Sequence, residues 1–329
     1  MKKFSNKMAV GKLSALSAAL LTLGMAGNAQ AGAYTYAYGL VNLTIFNVTE
    51  NRQADEGDFE NLVARNRSKA DADLGSIAGI NNTDSSTTAN TDTAYQGTVT
   101  LAGGITGDDS AQHFGAGNHY ALADTSASGA AITGIPGNSP PASVGVWGEI
   151  LLNSTDMAAS SSNASNNSGF ELDFDLGETT TFRFDIAAET WAQSYLTADA
   201  IVPPSIVGSQ HTWVLSLSQG GTTLCNWTPN DEAGGITGTS CSELSDNINL
   251  NFGTAVSTAG ANTGLLYNSG TAQAQVTLGT GSYTFRLAQT VNADATLDIP
   301  KDIPEPETLL LLGIGLLGMI TAGRRFNVA

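Results

Sequence analysis

Apolar and polar residues alternate at period two along much of this chain. Two neighbouring segments, 171–176 and 180–186, show the alternation most clearly, because every second side chain in them is apolar. These apolar positions are Leu172, Phe174, Leu176, Phe182, Phe184 and Ile186. The pattern is typical of half-buried strands, and the short polar turn between the two segments predicts a β-hairpin. In that hairpin Arg183 would face the carboxylates of the first strand.

The same spacing recurs elsewhere in the chain. The alternating apolar positions are Val41, Leu43, Ile45, Trp213, Leu215, Leu217, Ile248, Leu250 and Phe252. A second hairpin is predicted where segments 276–278 and 283–287 flank the glycine-containing turn 279–281. Such strands, joined by Gly-, Asn- and Ser-rich turns, predict an all-β fold. We expect one antiparallel β-sandwich of jelly-roll type over residues 32–300.

Three stretches are predicted to lie outside this core. Residues 50–73 concentrate charge, and we expect either one short surface helix near 59–64 or a mobile segment. Residues 81–93 and 158–169 are polar tracts of low complexity, which predict solvated loops.

The charge of the chain restricts its partners. Residues 32–303 hold seven basic and 28 acidic side chains, a net charge of −21. Nucleic-acid binding draws on counterions released around Lys and Arg, so this balance argues against nucleic acid as a partner.

Residues 1–31 have the three parts of a secretory signal peptide. Four lysines come first, an apolar run at 13–26 follows, and Ala29 and Ala31 place small residues where signal peptidase requires them. We therefore expect a signal helix and cleavage after Ala31. The alternative is a retained anchor, but the run is shorter than the ~20 residues that a span needs.

The C-terminal segment 301–329 is also tripartite. Pro304, Glu305 and Pro306 form a stiff acidic motif, because proline fixes φ and lacks an N–H. The apolar residues 308–323 predict a single transmembrane helix about 24 Å long. Arg324 and Arg325 would then hold its end in the cytoplasm as a membrane stop signal.

This order of motif, short helix and basic tail resembles the PEP-CTERM sorting signal. The resemblance implies that the chain is a substrate of exosortase, a membrane transpeptidase of Gram-negative bacteria. It further implies transient passage through the inner membrane, processing near Pro304, and delivery to the cell surface or extracellular matrix. A structural or adhesive role in biofilm or exopolysaccharide follows as the expected function. The alternatives are a permanent single-pass anchor and a carbohydrate-binding surface module.

Cys225 and Cys241 are the two cysteines of the chain. In an oxidising compartment they predict one disulfide bond, and two reduced buried thiols are the alternative.

Tryptophan suggests a candidate glycan contact, because an exposed indole face packs against sugar C–H groups. Trp213 alternates with leucines and is expected in the core, whereas Trp191 and Trp227 are the candidates for exposure. For Trp227, next to Cys225, packing against the disulfide is the alternative.

Acidic clusters suggest weak calcium binding, because Ca²⁺ takes hard oxygen ligands. The candidate ligands are Asp71, Asp73, Asp108 and Asp109, and the carboxylates of 171–175 offer similar oxygens. The alternative is an acidic solvated surface. We expect no other cofactor.

An enzymatic role is not expected. The chain holds three histidines, His113, His119 and His211, and no G-x-S-x-G nucleophile motif. His113 and His119 with the neighbouring aspartates match no known metal-binding spacing, so a polar loop is the expected structure there.

Overall fold

The computed structural model describes residues 32–73, 81–89, 94–100, 120–135, 140–153, 159–198, 200, 205–232 and 234–298. The described residues form two antiparallel sheets of eight strands each. The first sheet contains β1 (Gly32–Asn47), β2 (Arg52–Gln53), β5 (Ala94–Thr100), β6 (Tyr120–Ser128), β7 (Ala142–Asn153), β9 (Thr180–Leu196), β13 (Cys241–Asp246) and β15 (Leu266–Leu278). The second contains β3 (Glu60–Asp73), β4 (Asn81–Ala89), β8 (Ala159–Leu176), β10 (Ile206–Gln219), β11 (Thr222–Trp227), β12 (Ile236–Gly238), β14 (Phe252–Val256) and β16 (Gly281–Asp298).

The strand order shows which strands are central. It runs β13-β15-β9-β1-β7-β6-β5 in the first sheet, with β2 paired to β1. In the second sheet it runs β12-β11-β10-β16-β8-β3-β4, with β14 paired to β10. A single 3₁₀ turn, Glu56–Asp58, separates β2 from β3.

The two sheets pack face to face around a shared apolar core. Val41 and Leu43 of the first sheet lie in one buried cluster with Leu172, Trp213 and Leu215 of the second. Alternate residues of each strand point into this core, which is why period two runs through the sequence. The prediction of an all-β antiparallel sandwich is therefore confirmed, and the jelly-roll subtype stays a prediction.

The predicted signal helix at 1–31 and the predicted transmembrane helix at 308–323 lie outside the described residues. Within the described ranges, no helix has the length and hydropathy needed to cross a membrane.

Both predicted hairpins are wrong, although the predicted inner faces are correct. β8 and β9 are consecutive, yet β8 pairs with β16 and β3 while β9 pairs with β1 and β15. The turn 177–179 thus carries the chain from one sheet to the other, and the short link between β15 and β16 does the same. Arg183 consequently pairs with Asp185 at 2.7 Å and lies over the Phe46 ring.

Residues 50–73 were predicted as a short surface helix or a mobile segment and the two polar tracts as loops, and the strands found in these segments show that this is wrong. Segment 60–73 is β3, paired with β8 on one side and β4 on the other. Its inward residues, among them Ala64, Asn66 and Ala70, are buried but small or polar, so the alternation was weak in hydropathy. Much of each tract forms strand, namely β4 and the first half of β8. Backbone hydrogen bonds to neighbouring strands hold these tracts without apolar side chains.

A polar layer divides the core across its middle. On one side lies the large apolar cluster with Trp213, and on the other a smaller cluster with Val207 and Leu297. Between them the buried His211 accepts a hydrogen bond at Nε2 from the Gln289 amide at 2.9 Å. Its Nδ1 contacts the Leu250 carbonyl, which can only accept, so Nδ1 carries the proton.

Hydroxyl groups continue the same polar layer. Ser194 contacts Thr254 at 2.7 Å, Thr254 contacts Ser209 at 2.9 Å, and Thr35 lies 3.3 Å from Ser194. These bonds join both sheets through their interior.

Candidate functional site

An aromatic side chain occupies the same transverse position on four adjacent strands of the first sheet. Tyr267 of β15 pairs with Trp191 of β9, and Trp191 pairs with Tyr38 of β1. Tyr38 in turn pairs with Trp147 of β7. We call these four residues the aromatic row. Since neighbouring strands lie about 4.8 Å apart, the row spans about 14 Å across the sheet.

The aromatic row lies on the outer face of the sandwich. Ala37 and Val146, which directly precede two of its members, cluster with Val291 of the opposite sheet in the interior. Successive side chains of a strand point to opposite faces, so Tyr38 and Trp147 point away from that interior.

Exposure falls from one end of the row to the other. Tyr267 is 47% exposed, Trp191 and Tyr38 are half-buried, and Trp147 is 2% exposed. The rings of Trp191 and Tyr267 lie 4.3 Å apart between centroids, with planes tilted by 49°. The open end of the row is therefore a contiguous ring surface.

A carboxylate borders this open end. Glu189 lies two residues before Trp191 on the same face of β9, and the Tyr267 hydroxyl donates a hydrogen bond to it. Burial raises the pKa of Glu189, an effect that this hydrogen bond partly offsets. Burial and the nearby Glu189 charge raise the pKa of Tyr38, so its phenol stays protonated and able to donate.

A pocket continues from the centre of the row. It has a volume of about 70 Å³ and is lined by Tyr38, Leu40, Asp124, Thr125, Ser126, Gly145, Val146 and Trp147. Gly145 pairs with Leu40, and because glycine has no side chain the outer face is recessed at this position. A side chain or ligand group of a few atoms would fit there beside Tyr38.

Trp191 was predicted as a glycan contact, but Tyr38, Tyr267 and Glu189 were missed. For Tyr38 and Glu189 a signal was available in Tyr-Thr-Tyr-Ala-Tyr at 34–38 and in Glu-Thr-Trp at 189–191, where large residues alternate with small ones. That pattern predicts large side chains along one face of the strand. The pattern does not show which strands are neighbours, so it does not predict that the rings form one row.

The prediction that Trp227 is exposed is wrong. Its side chain is fully buried, packs edge-on against Trp213 at 5.7 Å, and donates from Nε1 to Glu243 at 2.9 Å. A buried indole offers no face to a sugar, so Trp227 is a core residue. It lies two residues after Cys225, whose predicted disulfide with Cys241 is confirmed.

Trp227→Phe is expected to lower the free energy of unfolding by about 2 kcal/mol. The smaller ring leaves a gap in the core, and Glu243 loses a hydrogen-bond donor. Urea denaturation measures the change, and Trp191→Phe on the outer face is the matched control, with an expected loss below about 1 kcal/mol. Equal losses in the two variants would contradict this assignment of roles.

The described side chains do not include the candidate calcium ligands. Asp71 and Asp73 lie at the end of β3, and Asp108 and Asp109 lie outside the described residues, as do His113 and His119. Among the described side chains there is no group of three or more His, Cys, Asp or Glu suited to a metal ion. Calcium binding stays a prediction.

Two of the three carboxylates of β8 are bound by arginines. Glu171 accepts from Arg65 at 3.1 Å and from Arg67 at 2.9 Å, and Asp173 also pairs with Arg65. Both arginines come from the neighbouring strand β3. These contacts neutralise part of the charge that the sequence concentrates on β8.

The terminal site residues lie outside the described part of the chain. These are Ala29, Ala31, Pro304, Glu305, Pro306, Arg324 and Arg325. Comparison with known families nevertheless identifies the C-terminal segment: residues 302–325 match the PEP-CTERM protein-sorting motif. No curated protein and no solved structure matches the chain. The motif confirms the predicted resemblance, implies exosortase as the processing partner, and suggests export and sorting to the cell surface.

Proposed function

We propose that this chain, which carries a PEP-CTERM sorting motif, is a non-enzymatic surface protein with a structural or adhesive role in the extracellular matrix of a biofilm. The observation that carries the proposal is the motif match at residues 302–325. In this pathway signal peptidase removes residues 1–31, and the apolar segment 308–323 crosses the inner membrane transiently. Exosortase then processes the chain near Pro304.

The composition and the body of the protein support an extracellular role. A strongly acidic chain stays soluble and repels nucleic acid. The disulfide between Cys225 and Cys241 suits an oxidising compartment. We propose no cofactor for this role.

A non-enzymatic role is supported by the position of His211. This side chain is 1% exposed, and both of its ring nitrogens have hydrogen-bond partners inside the core. A general base must reach the proton that it removes from a substrate, and His211 has no such access.

A second candidate function is a carbohydrate-binding module. It is favoured by the exposed rings of Trp191 and Tyr267 on the outer face of the first sheet. The two functions are compatible, because an adhesive matrix protein needs a surface that holds the polymer.

Substitution of Pro304, Glu305 and Pro306 by alanine is expected to abolish processing and retain the chain in the inner membrane. The alanine segment lacks the fixed φ angles and the carboxylate that the processing enzyme would read. Immunoblots of membrane and surface fractions, with mass spectrometry of the mature C-terminus, measure the outcome.

The matched control replaces another proline pair, Pro203 and Pro204, which lies outside the motif. This control should be processed normally. The sorting proposal fails if the motif variant yields a mature species of unchanged mass at the cell surface.

A further inference from the structure

We propose that the open end of the aromatic row, formed by Tyr267, Trp191 and Tyr38 with the Glu189 carboxylate, binds an extended chain of a neutral polysaccharide. The inference deepens the proposed matrix role and rests on it for its biological setting. The binding itself is a property of the folded sandwich.

The row has the shape of a site for a linear polymer. Its members lie on consecutive strands, β15, β9, β1 and β7, so the ring surface runs in one direction across the sheet. Sugar rings expose C–H groups on their faces, and these pack on aromatic rings. A chain laid across the strands would meet one aromatic side chain about every 4.8 Å.

Polar groups beside the rings suit hydroxyl-bearing ligands. Glu189 can accept hydrogen bonds, and the Tyr38 phenol, whose pKa is raised, can donate one. These groups place an acceptor and a donor beside the stacking surface.

The charge of the surface decides which polysaccharide class fits. The paired strand positions at and next to the row carry three acidic residues, Glu189, Asp124 and Glu149, and no Lys or Arg. The strand β9 does contain Arg183, but this arginine lies six residues before Glu189 and is paired with Asp185. An anionic polymer such as alginate would meet acidic side chains and no Lys or Arg at these positions, so a neutral polymer fits.

A small organic cation fits less well. Quaternary ammonium groups are held by several rings that surround one charge, whereas the rings of this row lie side by side on neighbouring strands. The geometry therefore favours a chain over a point charge.

The test measures retardation of the purified full-length chain in native gels that contain one polysaccharide each. Hydroxyethyl cellulose, laminarin and dextran are the neutral probes, and alginate is the anionic probe. We expect retardation by at least one neutral probe and none by alginate. Trp191→Ala and Tyr267→Ala should each weaken that binding about tenfold, because they remove the central stacking rings.

Leu266→Ala is the matched control. Leu266 is 43% exposed and directly precedes Tyr267, but it is registered with the inward-facing Ala192 and so points to the other face. This variant should bind as the parent does. Circular dichroism confirms that each variant is folded.

Each contrary result overturns the site. The first such result is retardation by alginate alone, and the second is no retardation by any neutral probe. The third is equal retardation of the parent, Trp191→Ala and Tyr267→Ala. Release of the bound chain by choline but not by soluble oligosaccharide would also overturn it. The assay uses purified protein, so it is independent of the processing that the Pro304–Pro306 substitution tests, and either idea can fail alone.

Discussion

Replacing Gly39 by alanine is expected to lower the free energy of unfolding by about 4 kcal/mol. Gly39 lies in the middle of β1, and a Cβ there would fall well inside van der Waals contact with Nε2 of His211 and Nε2 of Gln289. Neither side chain can move freely, because they are buried and bonded to each other and to Leu250. Urea denaturation of the purified variant measures the loss.

A glycine on the adjacent strand provides the control. A Cβ on Gly145 would meet Ser126 Oγ at 3.0 Å on the outer face, so Gly145→Ala should change stability by less than about 1 kcal/mol. The double variant Gly39→Ala with Gln289→Ala should lose less than the sum of the two single variants, because the second change removes one clashing group. Strict additivity would show that the cost at Gly39 has another origin.

Acid is expected to weaken the protein through His211 by about 3 kcal/mol between pH 7 and pH 4. Burial lowers the pKa of His211 to about 4, and the hydrogen bond to the Leu250 carbonyl opposes this only in part. The unfolded chain, with an ordinary histidine pKa near 6.5, binds the proton first. The contribution is therefore complete above about pH 6.5 and is lost as the pH falls toward 4.

His211→Gln isolates this effect, because glutamine does not titrate. Carboxylates titrate in the same range, and burial raises the pKa of Glu189 and Asp246, which favours the folded state as the pH falls. These groups are present in both proteins and cancel in the difference. The difference in unfolding free energy between the parent and His211→Gln should thus shrink by about 3 kcal/mol from pH 7 to pH 4. A constant difference would refute the role assigned to His211.

Faces of strands could be predicted from this sequence, but partners of strands could not. Phe174 and Phe182 were correctly placed inward, since period two fixes the face of each strand. Their strands were wrongly paired, because a short turn can close a hairpin or carry the chain between sheets. Phe174 and Phe182 do meet, at 6.5 Å between ring centroids, yet across the core from opposite sheets.

The strand β3 shows a second limit of predicting strands from hydropathy. Arg65, Arg67 and Lys69 alternate with small or polar residues that face inward, so hydropathy alone predicted a surface segment. Pairing with β8 on one side and β4 on the other determines the structure there.

The candidate functional residues also fall into those that the sequence could predict and those that require the order of the strands. The sorting motif is local in sequence and was predictable as a pattern at residues 304–306. The aromatic row joins residues from 38 to 267 and requires the order of four strands. Trp191 could be suspected from its residue type, whereas its neighbours could be found only from the register.

The central position of β1 has a consequence for export. Apart from the two-residue strand β2, the partners of β1 are β7 and β9, which follow it by about 100 residues or more. The strand β1 thus stays without its main partners until β7 and β9 have been synthesised. Non-local pairing of this kind forms slowly, and a chain that is slow to collapse would remain able to pass through a narrow translocation channel.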